Sequence, residues 1–232
     1  MSATIQGSIS AHNIVVEVHQ AKARIPVLWA PSFEAQAGAI TGIVGPSGCG
    51  KTTLLNVLSL LTRPNQGQVM IGGAIAPTGE KARLGFWRKS ASFIFQDYGI
   101  IEEWSVAENI TLTRNPWKSQ RSSEELRELI ARIGLAGREN TTAALLSGGE
   151  KQRVGIARAI YKHSAFIFAD EPTASLDAAN RELVIELLRH AANRGSTVIV
   201  ATHDNDMMNA CDSLCVLQSP LQSPGATQKA SA

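Results

Sequence analysis

Short runs of apolar residues recur in the N-terminal part of the chain. Residues 14–18, Ile40–Val44 and residues 69–71 are rich in Ile and Val, and a glycine pair follows the third run. β-Branched runs of this length, bounded by turn residues, are typical of β-strands. This part of the chain is therefore predicted to be rich in strands, and the apolar residues 91–95 predict one more.

Helical spacing of apolar residues first appears after residue 50. Leu54, Leu58 and Leu61 lie three or four residues apart, and Pro64 with Asn65 ends the run. Because residues at this spacing share one face of an α-helix, the pattern predicts a helix that includes all three leucines.

A longer helical region is predicted between about residues 100 and 145. Ser122 and Glu125 have the spacing of a capping box, and Gly134 suits the position after a helix. This region is interpreted as a separate helical subdomain. Its apolar stripe consists of Leu126, Leu129, Ile130 and Ile133.

Strands and helices alternate again from Leu146 onward. Residues 166–169 form a continuous apolar run, and Thr197–Ala201 form another. Continuous apolar runs are typical of parallel strands that are buried on both faces, so an α/β fold with a mainly parallel sheet is predicted. A helix between the two runs is predicted to start near Asp177 and to carry Leu183, Ile185 and Leu188.

Composition and charge narrow the function classes. The 232 residues are 44% hydrophobic and 5% aromatic, which is typical of a soluble α/β protein with an aliphatic core. The net charge of +2 comes without a long basic block, so no nucleic-acid partner is expected. No apolar stretch is long enough to span a bilayer, and the first residues do not resemble a secretion signal. Residues 218–232, rich in Ser, Pro and Gln, are predicted to be a disordered tail.

Three cysteines fit a reducing compartment, since their number is odd and no signal peptide is recognised. Cys211 and Cys215 have the spacing of one helix face, but two thiols do not make a zinc site. Both are interpreted as small buried hydrophobic residues. Cys49 is either a small residue within a glycine-rich loop or an oxidation-sensitive thiol.

Residues 45–52 read GPSGCGKT and match the pattern G-x-x-x-x-G-K-[ST] between a predicted strand and a predicted helix. The glycines let the backbone wrap a phosphate, Lys51 can reach the β- and γ-phosphates, and the Thr52 hydroxyl can ligate Mg²⁺. A glycine-rich turn with a solvated lysine is the alternative. The flanking strand and helix favour binding of a nucleoside triphosphate through Gly45, Pro46, Ser47, Gly48, Cys49, Gly50, Lys51, Thr52 and Thr53.

Residues 146–153 read LSGGEKQR and form a second element able to bind phosphate. Ser147 supplies a hydroxyl, and Gly148 and Gly149 expose backbone amides where a helix is predicted to begin. Taken alone, the segment is also compatible with a plain serine cap followed by flexible glycines. One chain has little use for two such elements, whereas two chains that face each other would use both. The predicted nucleotide contacts of this segment are Ser147, Gly148, Gly149 and Glu150.

Polar residues follow two of the predicted parallel strands. Asp170 and Glu171 come directly after the run 166–169, and His203 comes two residues after Thr197–Ala201. The carboxyl ends of parallel strands are where such sheets bind ligands. Asp170 suits a water-mediated contact to Mg²⁺, Glu171 can accept a proton from the attacking water, and His203 can approach the γ-phosphate. The alternatives are a loop start and a structural histidine.

The ordered set of motifs resembles the nucleotide-binding ATPase subunits of ATP-binding cassette (ABC) transporters. The resemblance covers nearly the whole chain, and the segment 146–153, called the signature below, is its most specific part. It includes the phosphate loop, Gln96 in Phe95-Gln96-Asp97, the signature, Asp170-Glu171, residues 174–177 and His203.

The resemblance implies roles for these residues. Two subunits would pair head to tail and sandwich ATP and Mg²⁺ between the phosphate loop of one and the signature of the other. Gln96 would contact Mg²⁺ or the lytic water and sense the membrane partner, and Asp177 would lie at the dimer interface. Glu171 would be the catalytic base, and His203 would sense the γ-phosphate.

The implied fold is a P-loop NTPase core with a mainly parallel sheet, an N-terminal antiparallel β subdomain and an inserted α-helical subdomain. The ATPase domain is predicted to span residues 1–217, with the helical subdomain at about 100–160. The chain looks most similar to subunits of lipoprotein-release, macrolide or bacteriocin-type exporters. One departure concerns adenine, because residues 19–22 hold His19 but no aromatic residue of the kind that commonly stacks on the base.

The predicted function is ATP hydrolysis that powers a separate membrane-spanning permease. The subunit would act as a homodimer, or with a related ATPase subunit, on the cytoplasmic inner face of the membrane. One alternative is an ABC ATPase that regulates a membrane complex, such as cell-wall enzymes, without transport. A nucleic-acid or ribosome-acting relative is disfavoured, since those usually carry two cassettes or a long coiled-coil insertion. Contact with the permease is predicted for Tyr98, Ile100, Ile101 and Trp104, unless these residues belong to the core.

Overall fold

The computed structural model describes residues 7–20, 23–95, 97, 99–112, 123–174 and 176–218. The strands within these ranges are β1 (Ile9–Gln20), β2 (Ala23–Ala35), β3 (Ile40–Val44), β4 (Gln66–Ile71), β5 (Ala74–Ile75), β6 (Ala91–Ile94), β7 (Phe166–Asp170), β8 (Thr197–Ala201) and β9 (Ser213–Val216). The helices are α1 (Lys51–Leu58), α2 (Glu80–Lys89), α3 (Val106–Thr111), α4 (Ser123–Arg132), α5 (Gly148–Tyr161), α6 (Ala178–Asn193) and α7 (Asn205–Asn209), with a 3₁₀ turn at Ala143–Leu145.

The first sheet is antiparallel and has the strand order β2-β1-β4-β5, as the predicted N-terminal β subdomain requires. Strands β1 and β2 pair over most of their length, with a bulge between Val16 and Glu17. Ile9, Ala11 and Ile14 on β1 are fully buried, whereas their neighbours on the other face are more exposed. One apolar face therefore seals this sheet against the rest of the domain.

The second sheet has the order β6-β7-β8-β3-β9, and all of its strand pairs are parallel. Its central strands are buried on both faces. Phe166 and Phe168 on β7 pack on the side of α1 and the antiparallel sheet, and Ile167 packs on the side of α3, α4, α5 and α6. The prediction of a parallel sheet covered on both faces is confirmed.

Helices α3, α4 and α5 lie consecutively between β6 and β7 and form the predicted helical segment. The stripe on α4 is buried, and Gly134 after the helix has a φ of +74°. Strand β7 follows α5 and returns the chain to the sheet at Asp170. No helix within the described residues combines the length and the apolarity required to cross a membrane.

Several local predictions were wrong. Helix α1 ends at Leu58, because Leu60 adopts a left-handed φ of +63°, and Leu61 is consequently exposed beyond the helix. Cys211 and Cys215 do not share a helix, since Cys211 follows α7 and Cys215 lies on β9. Both are only partly buried.

Four further predictions need adjustment or fall outside the described residues. Leu183 and Ile185 are only partly buried, and Val184 and Leu187 take the inner face of α6 together with Leu188. Phe95 is exposed, because β6 ends one residue earlier. Ser122 of the predicted capping box and residues 219–232 of the predicted tail lie outside the described residues.

Candidate functional site

The phosphate loop joins β3 to α1 in a conformation that requires glycine at two positions. Gly45 has a φ of +152°, and a Cβ there would lie 2.6 Å from the Leu217 carbonyl oxygen. Gly50 has a φ of +98°, and its Cβ would lie 2.9 Å from the Val27 carbonyl oxygen. Gly50 precedes α1, no side chain caps the helix, and its first turn holds no acidic residue. The start of α1 is therefore suited to an external anion.

Two side chains at the start of α1 are placed for nucleotide chemistry. The Lys51 Nζ donates to the Gly45 carbonyl oxygen at 3.0 Å, so it lies directly over the loop. The Thr52 hydroxyl donates to the Asp170 Oδ1 at 3.2 Å and links the loop to the end of β7. Cys49 instead points into the core, and its backbone N–H donates to the Pro46 carbonyl oxygen at 3.2 Å.

Asp170 is a buried carboxylate at the end of β7, an inner strand of the parallel sheet. Burial raises its pKa, and the neighbouring Glu171 carboxylate adds to the effect, against the opposing influence of Thr52 and Lys51. A carboxylate in this setting gains from a cation, because burial penalises its charge. Asp170 and Thr52 together offer the hard oxygen ligands that Mg²⁺ prefers, so these residues fit the predicted metal.

Glu171 lies just beyond the end of β7 with a φ of +47°, a left-handed conformation that costs a non-glycine residue about 1–2 kcal/mol. Its N–H donates to the Ala201 carbonyl oxygen at 2.9 Å and holds this conformation against the end of β8. Its Oε1 lies 2.8 Å from the Nδ1 of His203, and its Oε2 accepts from the Thr202 hydroxyl at 3.3 Å. Glu171 and His203 thus form a contacting pair at adjacent strand ends.

These residues converge on one open groove of about 640 Å³. Its lining consists of Val27, Gly45, Pro46, Ser47, Gly48, Gly50, Lys51, Thr52, Thr53, Glu171 and His203. The predicted phosphate-loop residues, Cys49 excepted, therefore share one site with Glu171 and His203, and Asp170 adjoins it through its bond to Thr52. Val27, the bulged residue of β2, is a lining residue that the sequence did not indicate.

The signature begins α5 and lies outside the lining of that groove. Ser147 caps α5: its Oγ accepts from the Glu150 N–H at 3.3 Å, and its own N–H donates to the Glu150 Oε2 at 2.8 Å. The Glu150 carboxylate also pairs with Arg138. Lys151 bonds to Glu102 at 2.6 Å and links the helix to the segment before α3. Local sequence patterns did not indicate Arg138 or Glu102 as partners of this helix start.

Some of the remaining predicted residues lie within the described ranges, and others do not. Asp177 caps α6 by accepting from the Asn180 N–H at 2.8 Å. Ile100 packs against the core, whereas Ile101 is exposed. Gln96, Tyr98, Ser175 and the side chain of His19 lie outside the described residues, so the predictions made for them stay predictions.

A family model described as ABC transporter matches residues 28–174. The chain is 38% identical to the methionine import ATP-binding protein MetN 2 of Salmonella typhimurium, over 80% of this chain and 56% of the relative. It is 37% identical to the lipoprotein-releasing system ATP-binding protein LolD of Bacteroides thetaiotaomicron, over 81% of this chain and 88% of the relative.

The chain spans only part of the length of several relatives that it matches. Besides the 56% of MetN 2, the chain spans 63% of an uncharacterized ABC transporter ATP-binding protein of Mycobacterium tuberculosis that is 36% identical. Among solved structures, a dimer of the ATP-binding cassette MJ0796 bound to ADP and Pi superposes with a TM-score of 0.79 and 28% identity, covering 90% of this chain and 94% of that one.

Proposed function

We propose that this chain, which belongs to the ABC transporter family, is an ATP-hydrolysing subunit that pairs around ATP and powers a membrane-spanning permease. One observation carries the proposal. The groove collects the phosphate loop, Glu171 and His203, yet the equally glycine-rich start of α5 at Ser147 lies elsewhere. A second subunit facing the groove would bring its own Ser147 there. The dimeric structure of MJ0796 with ADP and Pi supports this arrangement.

The phosphate loop would bind ATP, and its neighbours would hold the metal. Lys51 would move from the Gly45 carbonyl oxygen to the β- and γ-phosphates, because its ammonium group lies over the loop. Thr52 would ligate Mg²⁺ directly, and Asp170 would do so through water, with Gln96 as the further predicted contact. Mg²⁺, when bound, would neutralise phosphate charge during hydrolysis.

Glu171 would accept the proton of the attacking water. Only 15% of its side-chain surface is exposed, yet it lines the groove and already contacts Thr202 and His203. These bonds engage both carboxylate oxygens and orient the group, while the strained backbone holds the side chain at the strand end. His203, which is exposed on its outer side, would contact the γ-phosphate and report its presence to Glu171.

The test compares Glu171→Gln with the wild type in ATP and Mg²⁺, using hydrolysis rates, nucleotide titration and mass by light scattering. The variant should hydrolyse ATP about 10³-fold more slowly, still bind it, and accumulate as a dimer. Glu186→Gln, an exposed change on α6, is the matched control and should behave as wild type. Hydrolysis by Glu171→Gln at the wild-type rate would remove this residue from its role.

The permease is proposed to be of the lipoprotein-release or related exporter type. The support is the extent of the matches: LolD is matched over 88% of its length, whereas MetN 2 is matched over 56%. The subunit would lie on the cytoplasmic inner face of the membrane through this partner. Reconstitution of the purified complex in vesicles, with ATP on the side of this subunit, tests the direction. Substrate leaving that side supports export, and substrate accumulating there contradicts it.

A further inference from the structure

The start of α5 and the residue that caps α6 are joined through a single amide. Asn180, in the first turn of α6, donates from its Nδ2 to the Asp177 Oδ2 at 2.7 Å. Its Oδ1 accepts from the guanidinium of Arg153 on α5. A Cβ placed on Gly149 would lie 3.2 Å from the same amide group. The side chain of Asn180 therefore bonds to Arg153 and to Asp177 and lies against Gly149, and the Asn180 N–H adds a second bond to Asp177.

Arg153 is itself fixed within the helical segment. Its side chain is buried, and its Nε donates to the Ile133 carbonyl oxygen at 2.8 Å at the end of the α4 region. A buried guanidinium must have its donors satisfied, so it holds the acceptor oxygen of Asn180 in place. That oxygen in turn sets the direction of the opposite edge of the amide, which faces Asp177.

An amide can perform both tasks at this position. It accepts on one edge and donates on the other, whereas a carboxylate cannot donate and an aliphatic side chain does neither. The backbone N–H and the amide of Asn180 also hold the pKa of Asp177 below its usual range, so the carboxylate stays ionised and turned toward α6. The geometry of Asp177 thus depends on the geometry of α5.

We propose that Asn180 is a positioning residue that fixes the start of α5 and Asp177 relative to each other, so that both meet the partner subunit in one arrangement. The proposal rests on the function proposed above, because it assigns Asn180 to the surface through which two copies of this chain would close on ATP. Asn180 touches neither the phosphate loop nor Glu171, so it is not a catalytic residue. Its loss should weaken pairing and leave the binding of ATP to a single chain intact.

Two substitutions at Asn180 separate geometry from charge. Asn180→Leu removes both side-chain bonds at similar size and leaves the backbone bond to Asp177, and Asn180→Asp keeps the bond to Arg153 but sets a carboxylate against Asp177. Each is made in the Glu171→Gln background, where ATP and Mg²⁺ should produce a stable dimer. Asn193→Asp, an exposed site at the other end of α6, is the matched control. Thermal unfolding verifies that each variant is folded.

Both Asn180 variants should weaken ATP-dependent dimerisation at least about tenfold, since each loses a bond to a charged group. The affinity of the single chain for a fluorescent ATP analogue should stay within about twofold, as should that of Asn193→Asp in both assays. In the otherwise wild-type chain, kcat should fall while KM is retained. Dimerisation equal to that of the parent in both variants overturns the proposal, and so does loss of single-chain ATP binding. A parent that binds ATP but stays monomeric overturns the shared-site function itself, and this assignment with it.

Discussion

The chain contains two glycine-rich helix starts, and they are built in opposite ways. The start of α1 follows Gly50 and has neither a capping side chain nor an acidic residue in its first turn. The start of α5 follows Ser147 and is closed by a complete capping box, in which Glu150 places a negative charge in the first turn. Both helix dipoles favour an anion, but only α1 leaves that role to a ligand.

The difference bears on how the two elements would share one nucleotide. The α1 start, with Lys51 over its loop, has the donors and the charge to bind phosphate within a single chain. At the α5 start, the N–H groups of Ser147 and Glu150 already bond to side chains of the same capping box. Arg138 neutralises much of the Glu150 charge. We infer that α1 supplies most of the affinity for ATP, and that α5 adds a weaker contact that matters once the phosphate is in place.

Removing the cation at the first start gives the largest expected effect. Lys51→Ala should lower the affinity of the single chain for ATP about 100-fold, because a charged contact to two phosphates is lost. Titration with a fluorescent nucleotide measures this affinity. Lys151→Ala, at the second start, is the matched control, since Lys151 bonds to Glu102 on its own chain. A comparable loss of single-chain affinity in Lys151→Ala would contradict the division of labour.

Replacing a glycine at each helix start should change the free energy of unfolding by different amounts. Gly50→Ala should lower the free energy of unfolding by about 2–3 kcal/mol, because its φ is left-handed and the new Cβ would press on the Val27 carbonyl. Gly149→Ala should cost less than about 1 kcal/mol, since alanine favours the helix while the Asn180 amide must give way slightly. Urea unfolding of both variants measures the difference. Equal losses would mean that the α5 start is as strained as the phosphate loop.

The sequence predicted what depends on local pattern and missed what depends on packing. Strands β3 and β8 have the bounds that their apolar runs indicated, and the motifs located the groove. Strand β2 was not predicted, because Pro26 and Pro31 interrupt its pattern, and prolines are tolerated there only because β2 is an edge strand. The left-handed Glu171 and the amide link through Asn180 arise where β7 meets β8 and α5 meets α6, contacts that local spacing cannot reveal.

A smaller effect is expected from removing the serine cap of α5, and the similar serine cap of α3 provides a matched control. Ser147→Ala should lower the free energy of unfolding by about 1 kcal/mol through loss of the box. Ser105→Ala, at the equivalent box on α3, should cost about the same. Only Ser147→Ala should also weaken ATP-dependent dimerisation in the Glu171→Gln background. If Ser105→Ala weakens dimerisation equally, the effect comes from general stability rather than from a contact of α5 with nucleotide.

The smallest expected effect separates the charge of Glu150 from its role in the cap. Burial works to raise the pKa of Glu150, but the N–H of Ser147 and the charge of Arg138 together outweigh it and lower that pKa below the ordinary value. Because the folded-state pKa of Glu150 is depressed, the stabilisation of the folded protein by its charge is full above the ordinary pKa of about 4.3. This stabilisation is lost as the pH falls through the folded-state pKa.

Glu150→Gln keeps an acceptor for Ser147 and removes only the charge. The variant should therefore be about 0.5 kcal/mol less stable than wild type at pH 7 and equally stable near pH 3, as measured by thermal unfolding. Glu186→Gln, an exposed change on α6, is the matched control for the thermal unfolding measurements. A Glu150→Gln difference that persists unchanged to pH 3 would show that the start of α5 is held by shape alone, and the electrostatic half of the contrast with α1 would then be wrong.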